Sequence, residues 1–206
     1  MRERWKAALR DRGLRAHLFL TVPALIVVLR SFAAFLSWVE VRPGVLFADP
    51  LLVVLPARDL TWEIFALIYG GLAAGLLALA RHPRQLAIGL QAYGLMVVTR
   101  MLLMTALPLD PPAGMILLRD PLVEVLGTGS TMTKDLFFSG HTATMTMLTL
   151  AVPGTALKVA LAVGAAGVAL GVLWQHVHYT VDVLVAPLVA FACYRAVRAL
   201  HGAAAL

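Results

Sequence analysis

The sequence predicts an all-α polytopic membrane protein, a bundle of six transmembrane helices with both termini in the cytoplasm. Three observations carry that expectation. Sixty-one percent of the 206 residues are hydrophobic and the mean hydropathy is +0.87, well above the roughly 45–50% apolar content of soluble domains. Apolar runs of about 20 residues, the length that one crossing requires, fill the chain with short breaks between them. Lys and Arg gather at alternate breaks, the pattern that sets membrane orientation. Six crossings with brief loops account for the whole length, so residues 1–206 read as a single domain.

The first span follows a basic stretch containing Arg2, Arg4, Lys6, Arg10, Arg12 and Arg15. The apolar run over 17–29 after it imitates a secretory leader. The apolar pattern resumes beyond Arg30, however, and continues to Val39, so 16–39 reads as a full span with one charge inside it. The next spans fall at 60–80, 86–107, 138–152, 155–173 and 179–200, bounded by charged or Pro/Gly-containing breaks. All are expected to be helices, because lipid offers backbone N–H and C=O groups no outside partner. The fourth is short and is extended to the turn at Pro153-Gly154. Gly164, Gly167 and Gly171 permit close helix contact in the fifth. Met145 and Met147 read as core filling, and Trp38, Trp62 and Trp174 as interfacial anchors.

With the N-terminus inside, eleven Lys and Arg lie on the inner side and four on the outer side, namely Arg42, Arg58, Arg119 and Lys134; Arg30 and Arg100 fall within spans. Most acids collect outside or near the outer ends, among them Glu40, Asp49, Asp110, Asp120, Glu124 and Asp135. The net charge of +6 is therefore a topology signal, since the basic residues flank apolar runs and form no continuous polar face for nucleic acid. The lone Cys193 excludes an intramolecular disulfide and any multi-cysteine metal site. His17, His82 and His201 fall at inner edges and read as solvated.

This topology brings His141 and His178 to the outer ends of two helices, although 37 positions separate them in sequence. Ser139-Gly140-His141-Thr142 opens the fourth span. A helix start there offers free N–H groups and positive dipole to an anion, and Gly140 lets a phosphate approach the backbone; the alternative is a simple Ser139 cap. His178-Tyr179-Thr180-Val181-Asp182 opens the sixth. Positions four apart share a helix face, so Asp182 can fix the His178 tautomer and raise its nucleophilicity; the alternative is a structural His–Asp pair. Arg100 and Arg30 sit about 10–14 Å below the outer helix ends, where each charge costs about 2.5–3.5 kcal/mol. A lipid phosphate offsets that cost through bidentate pairing. An internal ion pair with Glu63, Asp135 or Asp182, or snorkelling of the stem, does so as well. His176 lies two residues from His178, and with His141 and Asp182 it makes a metal site a lesser reading; the arginines and the glycine turn fit an anion better.

These motifs resemble the sphingomyelin synthase-like branch of the type 2 phosphatidic acid phosphatase superfamily. That branch carries Cys-Gly-Asp, three residues, then Ser-Gly-His-Thr. Here Thr133-Lys134-Asp135 precedes Leu136-Phe137-Phe138-Ser139-Gly140-His141-Thr142, so the aspartate keeps its spacing and the Cys-Gly pair is absent. The second motif, His-Tyr-Ser/Thr-x-Asp-Val, is met in full from His178 to Val183. Weaker echoes occur at Thr99-Arg100, at Thr105-Ala106-Leu107-Pro108 and at Leu55-Pro56-Ala57-Arg58-Asp59. The basic first motif of the ordinary phosphatases is not found.

The resemblance implies a six-span helical fold, extracytoplasmic catalysis, and neither metal nor other cofactor. It casts His178 as the nucleophile giving a phospho-histidine, Asp182 as its orienting carboxylate and His141 as the acid on the departing oxygen. Arg100, Ser139, Gly140, Asp135 and Tyr179 would surround the phosphate, and the motifs would fall within 99–189. The partners implied are a phospholipid, a lipid alcohol and the bilayer. Residue composition fits a bacterial inner membrane. Two other functions stay open: a lipid phosphate phosphatase acting on phosphatidic acid or isoprenyl diphosphate, and a non-catalytic lipid-binding or transport protein.

Overall fold

The computed structural model describes residues 1–119 and 132–202, and these are helical apart from their connections. The helices are α1 (Arg2–Arg10), α2 (Arg12–Val41), α3 (Pro50–Val54), α4 (Thr61–Leu79), α5 (Pro83–Ala106), α6 (Gly140–Ala151), α7 (Thr155–Trp174) and α8 (Thr180–Leu200). Asp120 and Glu124 lie outside the described residues.

Five of these helices, α2, α4, α5, α7 and α8, are long and apolar enough to cross a membrane. They carry large apolar side chains outward, for example Phe19, Leu20 and Val27 on α2 and Leu184, Leu188 and Phe191 on α8. A surface so apolar suits lipid rather than water. The expected fourth span at 138–152 is not among the five. Its helix, α6, has 12 residues, a rise of about 18 Å against a hydrocarbon core of about 30 Å. Ser139 caps it at one end, and at the other Pro153 follows while Gly154 adopts φ +83°.

The short helix is held by packing on its neighbours. No residue of α6 is exposed. Met145 and Leu148 pack into a core with Ile64, Phe65, Ile68, Leu161 and Val168 of α4 and α7. On another face Ala143 and Met147 meet Ile88, Met96, Ala186 and Ala190 of α5 and α8. Small residues bring α7 close to α4 as expected: a Cβ on Gly171 would stand 2.7 Å from Ile64. By contrast α2 is largely exposed, with Thr21, Leu36 and Val39 its buried residues, and Leu36 and Val39 pack against Met104 of α5.

At one end of the bundle α1, the α4–α5 turn and the end of α8 meet. Trp5 donates to the Ala80 carbonyl at 2.8 Å, and Arg84 to the His201 carbonyl at 3.2 Å. Of the three histidines expected to be solvated here, His17 is exposed and His82 and His201 are half-buried, and each has a polar neighbour. His82 contacts Arg4 at 2.5 Å, and the His17 and His201 rings lie 4.4 Å apart with Gln91 between their polar atoms. Burial, then His17 and Arg84, holds the His201 imidazole below its ordinary range.

The opposite end carries α3, the loops and the starts of α6 and α8. Asp49 is its fastening. The carboxylate caps α3 through the Leu51 N–H at 2.9 Å and accepts from both the backbone N–H and the hydroxyl of Thr180, at 2.6 and 3.0 Å. One acid thus joins two helix starts, where negative charge is favoured. Burial raises the Asp49 carboxyl, but the bonds from Thr180, Leu51 and Leu52 outweigh it and hold the group below the usual aspartate range. The stability it contributes is therefore complete above the unfolded value of about 3.9 and is lost as pH falls through the lower folded value. Asp49→Asn should lower the neutral-pH unfolding temperature, at a cost of about 1.5–3 kcal/mol. Wild-type and variant curves should converge on acidification, as thermal unfolding in detergent would record.

Candidate active site

His178 and Asp182 form the centre of the candidate site. They stand at the start of α8, one turn apart, with His178 Nδ1 3.1 Å from Asp182 Oδ2 and both residues buried. The same Oδ2 accepts the Tyr179 backbone N–H at 3.2 Å. An ionised carboxylate only accepts, so the His178 proton sits on Nδ1 and the Nε2 lone pair faces away from Asp182.

The start of α6 is tied directly to this pair. The Ser139 N–H donates to the Asp182 backbone carbonyl at 3.3 Å. His141 lies in the first turn of α6, half-buried, two residues beyond that bond. The starts of α6 and α8, each carrying a histidine, therefore meet at the same end of the bundle.

Arg100 arrives from α5 and lies over the start of α6. Its Nη2 is 2.5 Å from Asp135 Oδ2, and its guanidinium rests 4.9 Å from the Phe32 ring centroid and 5.7 Å from that of Phe138. Of the charge-offsetting partners available to Arg100, the structure uses Asp135. Nε of Arg100 and Oδ1 of Asp135 are buried without a hydrogen-bond partner among the described residues. Arg30 takes the other course: exposed on α2, it forms no ion pair among the described residues.

Gly140 has a sharper reason than helix-start flexibility. A Cβ there would lie 2.7 Å from Arg100 Cζ, so any other residue displaces the guanidinium. Gly140→Ala should improve helix propensity by about 1 kcal/mol yet slow turnover roughly tenfold to a hundredfold by moving Arg100. Parallel unfolding and activity assays would show the two effects diverging.

Other expected phosphate neighbours serve the scaffold. Ser139 is fully buried; its Oγ contacts Thr142 Oγ1 at 2.9 Å and accepts the Thr142 N–H at 3.4 Å, the capping alternative. The Tyr179 hydroxyl donates to the Asp110 carbonyl at 2.8 Å and accepts the Phe47 N–H at 3.3 Å. Its ring meets Phe47 edge-on at 5.6 Å. Burial is the main cause that pushes the Tyr179 phenol up from its usual range. His176, at φ +56°, turns its ring nitrogens to the carbonyls of Ala113 and Leu55 at 3.1 and 3.0 Å, so it clamps two loops rather than joining His178. Among the described residues no group of three or more His, Cys, Asp or Glu gathers for a metal ion.

Sequence reasoning missed a supporting layer. Glu40 accepts the backbone N–H groups of Thr133 and Lys134 at 2.9 and 3.0 Å and the Thr133 hydroxyl at 2.5 Å. Lys134 pairs with Asp110 at 2.9 Å and donates to the Arg42 carbonyl at 2.8 Å. Together these hold the segment that presents Asp135 to Arg100. Only Asp49-Pro50, a cap residue followed by proline at the first helical position, carried a legible signal for this layer.

A buried His–Asp pair, a second histidine on an adjoining helix start and an arginine against that start thus lie at one end of the bundle. Residues 133–200 match the PAP2 superfamily C-terminal family model. The match takes in Asp135, α6, α7 and α8, which is 68 of the 206 residues, and supports the PAP2 superfamily. The matched PAP2 segment and the apolar helices together fit a family of membrane lipid phosphatases and phosphotransferases. No curated protein and no solved structure matches this PAP2-like chain.

Proposed function

We propose that the protein is an integral membrane lipid phosphotransferase or phospholipase C-like enzyme. In this reading it moves a phospho-head group by way of a phospho-histidine at the extracytoplasmic face. The observation that carries the proposal is the buried His178–Asp182 pair, joined through Ser139 to the helix start that holds His141. His178 Nε2 attacks phosphorus, forming a P–N bond as the bond to the lipid oxygen breaks. His141 gives that oxygen its proton, and diacylglycerol or ceramide leaves. A second lipid alcohol, or water, then surrenders a proton to His141 and takes the phospho-head group from His178.

Arg100 supports the same reading, because its guanidinium lies against the first turn of α6 while Asp135 holds Nη2. The sphingomyelin synthase-like branch is favoured by the complete second motif and by the absence of the basic motif of the plain phosphatases. The basic α1 and the positive charge at the end with both termini support a reading in which that end is cytoplasmic and the site faces the far side of a bacterial inner membrane.

Phosphorus NMR of the purified protein with mixed phospholipids, with and without ceramide or diacylglycerol, tests the proposal. Transfer of a head group, with acid-labile phosphate on His178, is expected. Release of inorganic phosphate from phosphatidic acid or isoprenyl diphosphate, without head-group transfer, would replace it with the phosphatase reading. Lipid binding or flux that survives loss of both histidines would end the enzymatic account.

A further inference from the structure

Between α2 and α5 runs a groove of about 250 Å³ that the proposed chemistry leaves unused. Thr21, Leu25 and Val28 line it from α2, and Gln91, Gly94 and Val98 from α5. Its walls are apolar over most of their length. Its floor is not: Gln91 Nε2 donates to the Thr21 hydroxyl at 2.8 Å, and His17 and His201 lie against the same glutamine. A polar floor beneath apolar walls suits the end of a hydrocarbon chain better than its middle, because the bonded amide and hydroxyl resist further apolar burial.

The upper end of the groove, at Val28 and Val98, lies one helical turn or less along the chain from Phe32 and Arg100. Phe32 stands one helical turn above Val28 and on the same face of α2, and the Arg100 guanidinium lies 4.9 Å from its ring centroid. The rise from Thr21 to Phe32 is about 16 Å. Gly94 keeps the groove open at mid-height. A Cβ there would meet only Leu25, at 3.6 Å, so alanine fits and a longer side chain enters the groove.

We infer that this groove seats the acyl chain of the phospholipid whose phosphate binds at Arg100, with Phe32 at the turn between head and tail and the Thr21–Gln91 floor as the stop. The inference rests on the proposed lipid-phosphate chemistry and deepens it: the α2–α5 seam measures the length of the chain that fits. A bulky residue at mid-height shortens the ruler.

The experiment compares wild type, Gly94→Leu and Val28→Phe in detergent micelles with long-acyl and short-acyl forms of one phospholipid. In both variants the ratio of kcat/KM for the long over the short chain should fall roughly tenfold, the loss that expelling one or two methylenes produces. An unchanged ratio in correctly folded variants overturns the proposal. A long-acyl phospholipid with a photoreactive group at the chain terminus gives a readout independent of turnover. Labelling of 21–25 and 90–95 that excess unlabelled phospholipid competes away, and that Gly94→Leu abolishes, is the expected result. Labelling spread equally over Leu184, Leu188 and Phe191 of α8 marks bulk lipid contact and overturns it. If wild type turns over neither lipid, the enzymatic reading fails while the labelling still decides the groove.

Discussion

Asp182→Asn is expected to leave a folded protein whose turnover is about 10⁴-fold slower, the scale of effect seen when the orienting carboxylate of a nucleophile–histidine system is neutralised. The carboxylate makes two bonds through one oxygen, to His178 Nδ1 and to the Tyr179 N–H. An asparagine carbonyl can keep the backbone bond, which limits the capping loss to about 0.5–2 kcal/mol. It cannot hold the proton on Nδ1 as an anion does. With the carbonyl at that shared position the neutral amide no longer offsets the positive charge the ring gains as Nε2 bonds to phosphorus; with the NH₂ there instead, the backbone bond is lost and the ring takes the other tautomer. His178→Ala removes the nucleophile and should reduce transfer to background. Unfolding temperature measured beside kcat separates the two variants from misfolding, and an Asp182→Asn protein with near wild-type kcat would remove the carboxylate from the mechanism.

The second large effect belongs to the Arg100–Asp135 pair. Removing one member strands the other charge in a mostly buried place, a cost of about 3–5 kcal/mol. Arg100→Ala should therefore both destabilise the protein and slow turnover by about 10²–10³-fold, since the arginine balances charge that grows on phosphorus. A double variant, Arg100→Met with Asp135→Asn, separates these contributions. It should regain most of the lost stability, because neither charge is then left alone, and regain none of the activity. Turnover near wild type in the double variant would make Arg100 a structural residue, the other reading its sequence position allowed.

The helices were legible because their signal is local. Each long helix of the bundle lies within a few residues of the apolar run that predicts it, and breakers such as Pro83 and Pro153-Gly154 mark real ends. The 138–152 segment was less legible because an apolar run does not say how much of it lipid or protein surrounds, and α6 packs on four other helices. The chemistry-bearing motifs were legible for the same local reason: His178 and Asp182 are one turn apart. Distant pairing was not. Three acids were available to Arg100, and nothing in the order of residues selects Asp135, 35 positions away. Asp49 and Thr180 are 131 positions apart, so the joint between their helix starts exists only in the folded chain. Ser139 and Tyr179 show the converse, since family-like motifs include residues whose polar atoms hold the scaffold.

The packing of α6 among α4, α5, α7 and α8 bears on how the protein meets membranes of unequal thickness. Lipid-facing helices answer a thinner or thicker bilayer by tilting. A helix held between neighbours receives much of that strain through them, and α6, at 12 residues, is shorter than the hydrocarbon core. Its first turn, with Gly140 against Arg100, is thereby buffered from the bilayer's elastic demands. The outer helices can adapt to a changing membrane while the phosphate's surroundings keep their spacing.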